Sequence, residues 1–317
     1  MTNPGQTLPG GPPSMTAGRG PGYDQRTSVN GPSAVPRPKG SPKRPAASNA
    51  SRIAPLADPG NGLFRAGDPD FMTSLARGLH VIRAFAGTDR RLSIADVSRA
   101  TGLTRAVVRR CLYTLRELGY AATDGHAYFL QPRILSLGYA YLSTAPIAIA
   151  AQPVLKELSE RIGEATTVAV LDEGSVVYVA RAPTQRIMSV TLGVGSRLPA
   201  YCTALGRALL ASLPPEQAAG ELSRAELVPH TKFTVTSRQR LAEILAQVRV
   251  EGYALNDQEL EIGLRSIAVP VRNVVDHTVA AMNVSAQASR LSRRELIDDA
   301  LPQLRAAAER LGRQLAP

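Results

Sequence analysis

Apolar residues recur at helical spacing through the first part of the chain beyond residue 70, and the pattern changes to alternation after residue 165. In "FMTSLARGLHVIRAFAG", Leu75, Leu79, Ile82 and Phe85 share one stripe and Gly87 supplies a stop, which predicts a first helix. In "RLSIADVSRATGL", Ser93 followed by Asp96 is a capping-box variant, and Gly102 suits the left-handed residue that closes a short helix. Thr104 can cap the next helix, "LTRAVVRRCLYTLRELGY". There Val108, Cys111, Leu112, Leu115 and Leu118 form one side, while Arg105, Arg109, Arg110 and Tyr113 run along the other. "YAATDGHAYFLQP" alternates around Asp124-Gly125 and predicts a hairpin.

"LQPRILSLGYAYLST" continues as an apolar connecting helix over about 134–145, with Ile134, Leu137 and Leu142 and the tyrosines between. Beyond Pro146, "APIAIAAQPVLKELSERIG" is helical, and "EATTVAVLDEGSVVYVAR" is a strand pair split at Asp172-Glu173-Gly174. "RIMSVTL" predicts a third strand, "SRQRLAEILAQVRVEGYAL" a long helix ended by Gly252, and "RSIAVPVRN" with "HTVAAMNVSAQ" a second strand pair. An amphipathic helix, "SRRELIDDALPQLRAAAERLGRQL", closes the chain. Hairpins rather than strand–helix–strand units make this half, 146–317, an α+β antiparallel sheet flanked by helices.

Two capped helices around a glycine turn, preceded by a helix and followed by a hairpin, read as a winged helix-turn-helix over 68–133. In that motif the start of the second helix meets base edges in the major groove of duplex DNA. Candidate DNA contacts are Thr104, Arg105, Ala106, Arg109 and Arg110, with Ser93 and Tyr113 beside them. An arginine can grip a guanine edge bidentately or neutralise a phosphate, and Arg105 is assigned to bases and Arg110 to backbone.

Charge supports an anionic partner. The 317 residues carry a formal net charge of +11, which favours polyanions without bearing on fold. Residues 1–62 hold half of the 24 prolines and little to bury, and read as a disordered basic tail. No apolar run resembles a signal peptide or a membrane span, so a soluble cytoplasmic protein is expected. The two cysteines, Cys111 and Cys202, offer neither a disulfide framework nor metal-ligand spacing.

The informative stretch of the second half is "GSRLPAYCTALGRALLASLPP", where Pro199 breaks regular structure and a helix starts near Thr203. The unpaired amides around Thr203, Ala204, Leu205 and Gly206 could hold a carboxylate, although every helix has such an end. Two other classes compete. The histidines His80, His126, His230 and His277 are scattered without an acid–base pattern, and Cys202 is expected to be a small buried residue, so no catalytic residue or cofactor is expected. A sequence-neutral DNA-compacting protein would use the charge but has no need of a large second half.

The segments "FMTSLARGLHVIRAF", "LTRAVVRRCLYTLRELGY", "RLPAYCTALGRALLA" and "NDQELEIGLRSIAVPVR" resemble the IclR family of bacterial transcription regulators across about 68–315. The similarity is greatest to its subgroup for aromatic-acid breakdown by the protocatechuate and β-ketoadipate route. The resemblance implies a winged helix-turn-helix joined to a GAF-like effector domain. It implies dimers through the DNA-binding half, often paired into tetramers, on palindromic operators, with RNA polymerase as a further candidate partner. It also places a small organic acid against Leu198 and Thr203 to Gly206, with contacts from Asn256, Ser266, Asn283 and Ser285. Asn256 stands where some members carry an acid and Ser266 where others carry cysteine. A protocatechuate-like or β-ketoadipate-like anion is the expected effector; activation and repression are both open, the subgroup leaning to activation.

Overall fold

The computed structural model describes residues 68–86, 91–184 and 192–315. The stretch 1–62, Gly87 and the strand expected over "RIMSVTL", save its final leucine, lie outside the described residues.

Three helices, α1 (Thr73–Arg83), α2 (Ile94–Thr101) and α3 (Arg105–Glu117), precede a hairpin of β1 (Ala121–Thr123) and β2 (Tyr128–Leu130). Their starts and stops are local chemistry. Ser93 and Asp96 form the reciprocal capping box, Gly102 takes φ 69° at the end of α2, and the Thr104 hydroxyl accepts from the Val107 amide. Val81, Phe85, Val97, Leu103, Val108, Leu112, Leu115 and Ala121 then close one small core. The buried His80 ring fastens α1 to α2 through the Thr101 carbonyl, 3.2 Å from Nε2. A bridge between Leu92 and Tyr128 brings the hairpin against the start of α2.

The apolar stripe expected to bury α1 is divided. Phe85 is in the core and Ile82 packs at its edge, whereas Leu75 and Leu79 are exposed, and Val81 and His80 take the buried positions. Leu118, expected on the buried side of α3, is exposed because the helix ends one residue before it and the chain turns there. A short helix, α4 (Leu135–Leu142), follows a single 3-10 turn and contains no buried residue.

Helix α5 (Pro146–Ile162) leads into a six-stranded antiparallel sheet ordered β5-β4-β3-β8-β7-β6. Its strands are β3 (Ala165–Asp172), β4 (Ser175–Ala182), β5 (Arg197–Pro199), β6 (Ala254–Asp257), β7 (Leu264–Arg272) and β8 (Thr278–Gln287). β5 and β6, the two edge strands, have no counterpart in the sequence expectation, being only three and four residues long. Between them run α6 (Ala204–Ser212), α7 (Pro215–Arg224) and α8 (Arg238–Glu251), and α9 (Arg293–Glu295) with α10 (Leu301–Gly312) closes the chain. A π-helical turn over Leu296–Ala300 joins these last two just ahead of Pro302, which cannot donate to a regular ladder. Among the described residues no single helix is long and apolar enough to cross a membrane.

Alternation gives the sheet two buried faces. Val168, Ile267, Val269, Val271, Met282 and Val284 meet α5 and α10, while Ala169, Val176, Tyr178, Ala268 and Ala281 meet α6, α7 and α8. Small residues on the second face let α6 lie close. At Gly206 the approach is closest: a Cβ there would stand 2.2 Å from the Cα and carbonyl oxygen of Ala200.

A buried ion pair fixes α6 from the side. The Arg207 guanidinium donates to both Glu259 oxygens at 2.6 and 2.7 Å, and its Nε donates to the Tyr201 carbonyl at 2.9 Å. Glu259 also accepts from the Val235 amide at 2.9 Å, and the Thr231 and Thr234 hydroxyls hold the Gln258 and Glu259 carbonyls. One bidentate contact thus joins the start of α6, the segment before α8 and the turn between β6 and β7. Glu259→Gln is expected to lower unfolding stability by about 3–5 kcal/mol in urea titrations, because it leaves Arg207 charged in a water-poor interior. Replacing both partners by Met should recover part of that loss, and not all of it, since Tyr201 and Val235 would still lack partners.

Candidate functional site

Two regions collect the residues singled out from the sequence. In the first, a cleft between α3 and the hairpin is lined by Ser93, Ile94, Ala95, Arg105, Ala106, Arg109, Gly125, His126 and Tyr128. Arg105, Arg109 and Arg110 are exposed, and none forms an ion pair among the described residues. Neighbouring arginines differ: Arg99 pairs with Asp96, Arg116 with Glu117 and Arg91 with Asp124. Three arginines without an ion pair thus stand together on the first two turns of α3. Thr104 caps that helix, while Arg110 and Tyr113 lie outside the cleft lining; Tyr113 sits farther along, beneath the Arg116 guanidinium at 5.0 Å.

The cleft's other wall is a four-residue turn, Asp124–Ala127, held by Asp124. Its carboxylate accepts from the His126 and Ala127 amides at 3.0 and 2.9 Å, which holds its pKa below the ordinary carboxylate value. His126 in that turn is a lining residue the sequence offered only as part of the hairpin. Ser93 faces the cleft but its hydroxyl is engaged with Asp96, so its cap function is already spoken for.

The second region is a cavity on the sheet face beneath the start of α6. Leu198, Thr203, Ala204, Leu205, Asn256, Ser266, Asn283 and Ser285 all line it, joined by Thr167, Tyr178, Arg181, Cys202 and Glu261. Strand register explains the gathering. Across the sheet Arg181 faces Thr167, which faces Asn283; in the adjacent row Ser285 faces Ser266, which faces Asn256. Two rows of polar side chains thus lie in an otherwise apolar face. Asn283 Nδ2 donates to Ser285 Oγ at 2.9 Å, as expected of residues two apart on one strand.

Above this floor, Thr203 caps α6 by accepting from the Gly206 amide at 3.1 Å and donating to the Pro199 carbonyl at 3.0 Å. Gly206 accordingly has a different part from the one expected of it. It is not in the lining, its amide is taken by Thr203, and its missing side chain serves the Ala200 contact. Asn256 ties roof to floor through the Cys202 carbonyl at 3.0 Å. Burial pushes the Cys202 thiol and the Tyr178 hydroxyl each up to about 12, so both stay neutral at ordinary pH. Burial likewise raises the Glu261 carboxyl.

Arg181 is the lining residue that alternation hides. Val176 and Tyr178 lie on the sheet face that carries the cavity, so an unbroken strand would turn residue 181 to the opposite face. A β-bulge intervenes: Val168 pairs with Ala180 and Ala169 with Tyr178, leaving Val179 unmatched. The extra residue flips the alternation and brings Arg181 round beside Tyr178.

Residues 74–125 match the IclR helix-turn-helix domain, and residues 139–313 match the bacterial transcriptional regulator IclR C-terminal domain. The chain is 49% identical over 250 residues to the Pca regulon regulatory protein of Pseudomonas putida, covering 78% of this chain and 86% of that one. It resembles the crystal structure of a transcriptional regulator from Rhodococcus sp. RHA1 with 45% identity and a TM-score of 0.69, across 77% and 98% of the two chains. A double mutant of the PobR inducer-binding domain from Acinetobacter, in complex with 3-hydroxybenzoic acid, aligns with 35% identity and a TM-score of 0.50, over 53% of this chain and 98% of that one. With an arginine-lined helix-turn-helix, a polar cavity on an antiparallel sheet and both family domains in order, the chain belongs to the IclR family of bacterial DNA-binding transcriptional regulators.

Proposed function

We propose that this regulator binds its operator through Thr104, Arg105, Ala106, Arg109 and Arg110, and that a small aromatic acid in the sheet cavity controls that binding. One observation carries the reading: a single chain holds unpaired arginines on an exposed recognition helix and, separately, a cavity whose polar floor is set into an apolar sheet face. Arg105 reads base edges, Arg110 holds phosphate, and His126 of the wing lies across the cleft from Arg109. The similarity to the Pca regulon regulatory protein and to the 3-hydroxybenzoic acid complex supports an aromatic acid as the effector and aromatic-compound breakdown as the regulated process. Effector acts by binding two arrangements of the protein unequally, and only that difference in affinity can alter operator occupancy.

The protein works as a dimer or a pair of dimers. Leu75 and Leu79 on α1, with Leu135, Leu137, Tyr139 and Tyr141 on α4, are exposed apolar side chains that no other described residue covers. Covering them with a second copy removes that surface from water and sets two recognition helices on a palindrome.

Three measurements test this reading. Anisotropy titrations at matched salt should show operator binding at least about 10³-fold tighter than random DNA. In the same assay Arg105→Ala should relax base preference, whereas Arg110→Ala should weaken every sequence evenly; indistinguishable variants would end that assignment. Protocatechuate, 4-hydroxybenzoate, 3-hydroxybenzoate and β-ketoadipate should be screened for a concentration-dependent rise in Tm, and a flat response to the three aromatic acids removes the aromatic acid, whatever β-ketoadipate does. Sedimentation of Leu135→Asp/Tyr139→Asp should show monomers at concentrations where the unaltered chain is dimeric.

A further inference from the structure

The cavity wall contains two buried polar atoms without a hydrogen-bond partner, Nε of Arg181 and Oδ1 of Asn283. Buried polar groups in folded proteins are nearly always bonded, so two on one wall point to a ligand. They are opposite in kind. The arginine nitrogen can only donate and carries positive charge, while the amide oxygen can only accept. Asn283 is 3% exposed and its amide nitrogen is engaged by Ser285, so the oxygen is the end left open.

Neither group is satisfied by its protein neighbours. Arg181 forms no ion pair among the described residues, including with Glu261, the acidic residue of the same lining. Tyr178 beside it is neutral. Arg181 and Asn283 face the same strand residue, Thr167, from its two sides, and so stand two strand spacings apart, roughly 10 Å between backbones. The arginine side chain is long enough to close part of that separation, and a six-membered ring with a substituent at each end is of the size to bridge what is left. Leu198, Leu205, Leu260 and Leu264 supply apolar surface around it.

We infer that the cavity reads two groups at once: a carboxylate that accepts from Arg181, and a hydroxyl on the same ring that donates to Asn283 Oδ1. The inference rests on the effector reading above and narrows it. A hydroxylated aromatic monocarboxylate satisfies both atoms. A dicarboxylate does not, because its second carboxylate would set negative oxygen against the Asn283 oxygen. The carboxylate therefore belongs at the arginine and not at the start of α6, where Thr203 already bonds the Gly206 amide.

Calorimetric titration of the full chain with protocatechuate, benzoate, 3,4-dihydroxybenzamide and adipate separates the two contacts. The unaltered protein should bind protocatechuate about 10- to 100-fold more tightly than the amide, the range expected of a charged hydrogen bond, and more tightly than benzoate or adipate. Arg181→Gln should abolish the preference for acid over amide and keep the preference for hydroxylated over plain ring. Asn283→Ala should do the reverse. Each preference is a ratio measured on one preparation, so partial unfolding of a variant does not produce it, and Arg181→Lys should restore some of the acid preference. An acid preference unchanged in Arg181→Gln, or adipate bound as tightly as protocatechuate, overturns the inference and leaves the effector reading standing. An unaltered protein that binds none of the four defeats this inference, and defeats that reading with it if 4-hydroxybenzoate and 3-hydroxybenzoate also leave Tm unchanged.

Discussion

The bidentate contact between Arg207 and Glu259 is the constraint on which the cavity depends. It joins residues 52 positions apart, both buried, and every hydrogen bond around it ties another segment to the same point. Arg207 reaches back to the Tyr201 carbonyl at the entry to α6, and Glu259 takes up the Val235 amide ahead of α8. A buried pair of this kind adds little net stability over a hydrophobic replacement, because desolvation offsets most of the attraction. Its value here is positional. With both charges buried, one packing of α6 against the sheet keeps them paired, and alternatives leave a charge alone.

That position is what allows small residues to act. The close contact of Gly206 with Ala200 brings the start of α6 down over the sheet, so Thr203, Ala204 and Leu205 become a roof over the polar rows of β3, β8, β7 and β6. The Thr203 hydroxyl closes the helix end itself, and Asn256 joins the Cys202 carbonyl. The roof is thereby held by bonds internal to the protein, which leaves Arg181 and the Asn283 oxygen as the unsatisfied groups of the wall.

The DNA-binding part follows a simpler logic. Its helices are short, and their ends are set by residues within three or four positions: Ser93 with Asp96, Thr104 with Val107, Gly102 in the left-handed region, Asp124 with the amides of its own turn. Its core is small, and the apolar residues left over on α1 and α4 face outward. A module of this size can therefore combine a charged face for DNA with an exposed apolar face.

Local chemistry in the sequence was enough to determine the caps, the helix-turn-helix and the exposed arginines of α3, since each depends on residues a few positions apart; Asn283 and Ser285 were marked by the family resemblance, and spacing added only that they share one side of a strand. Strand alternation likewise marked the central strands of the sheet. The outward stripe of α1 was beyond it, because periodicity finds an apolar face without saying what covers it. So were the edge strands β5 and β6, too short to show a period and paired only because longer neighbours offer them hydrogen bonds. Arg181 illustrates the limit most directly: its side of the strand depends on one unmatched residue, Val179, and a bulge is a property of two strands in register and not of either alone. The tertiary structure alone decided that Arg207 and Glu259 meet, that Gly206 serves packing, and that Arg181 and Asn283 stand on one wall, because each requires segments distant in sequence to be brought together by the folded sheet.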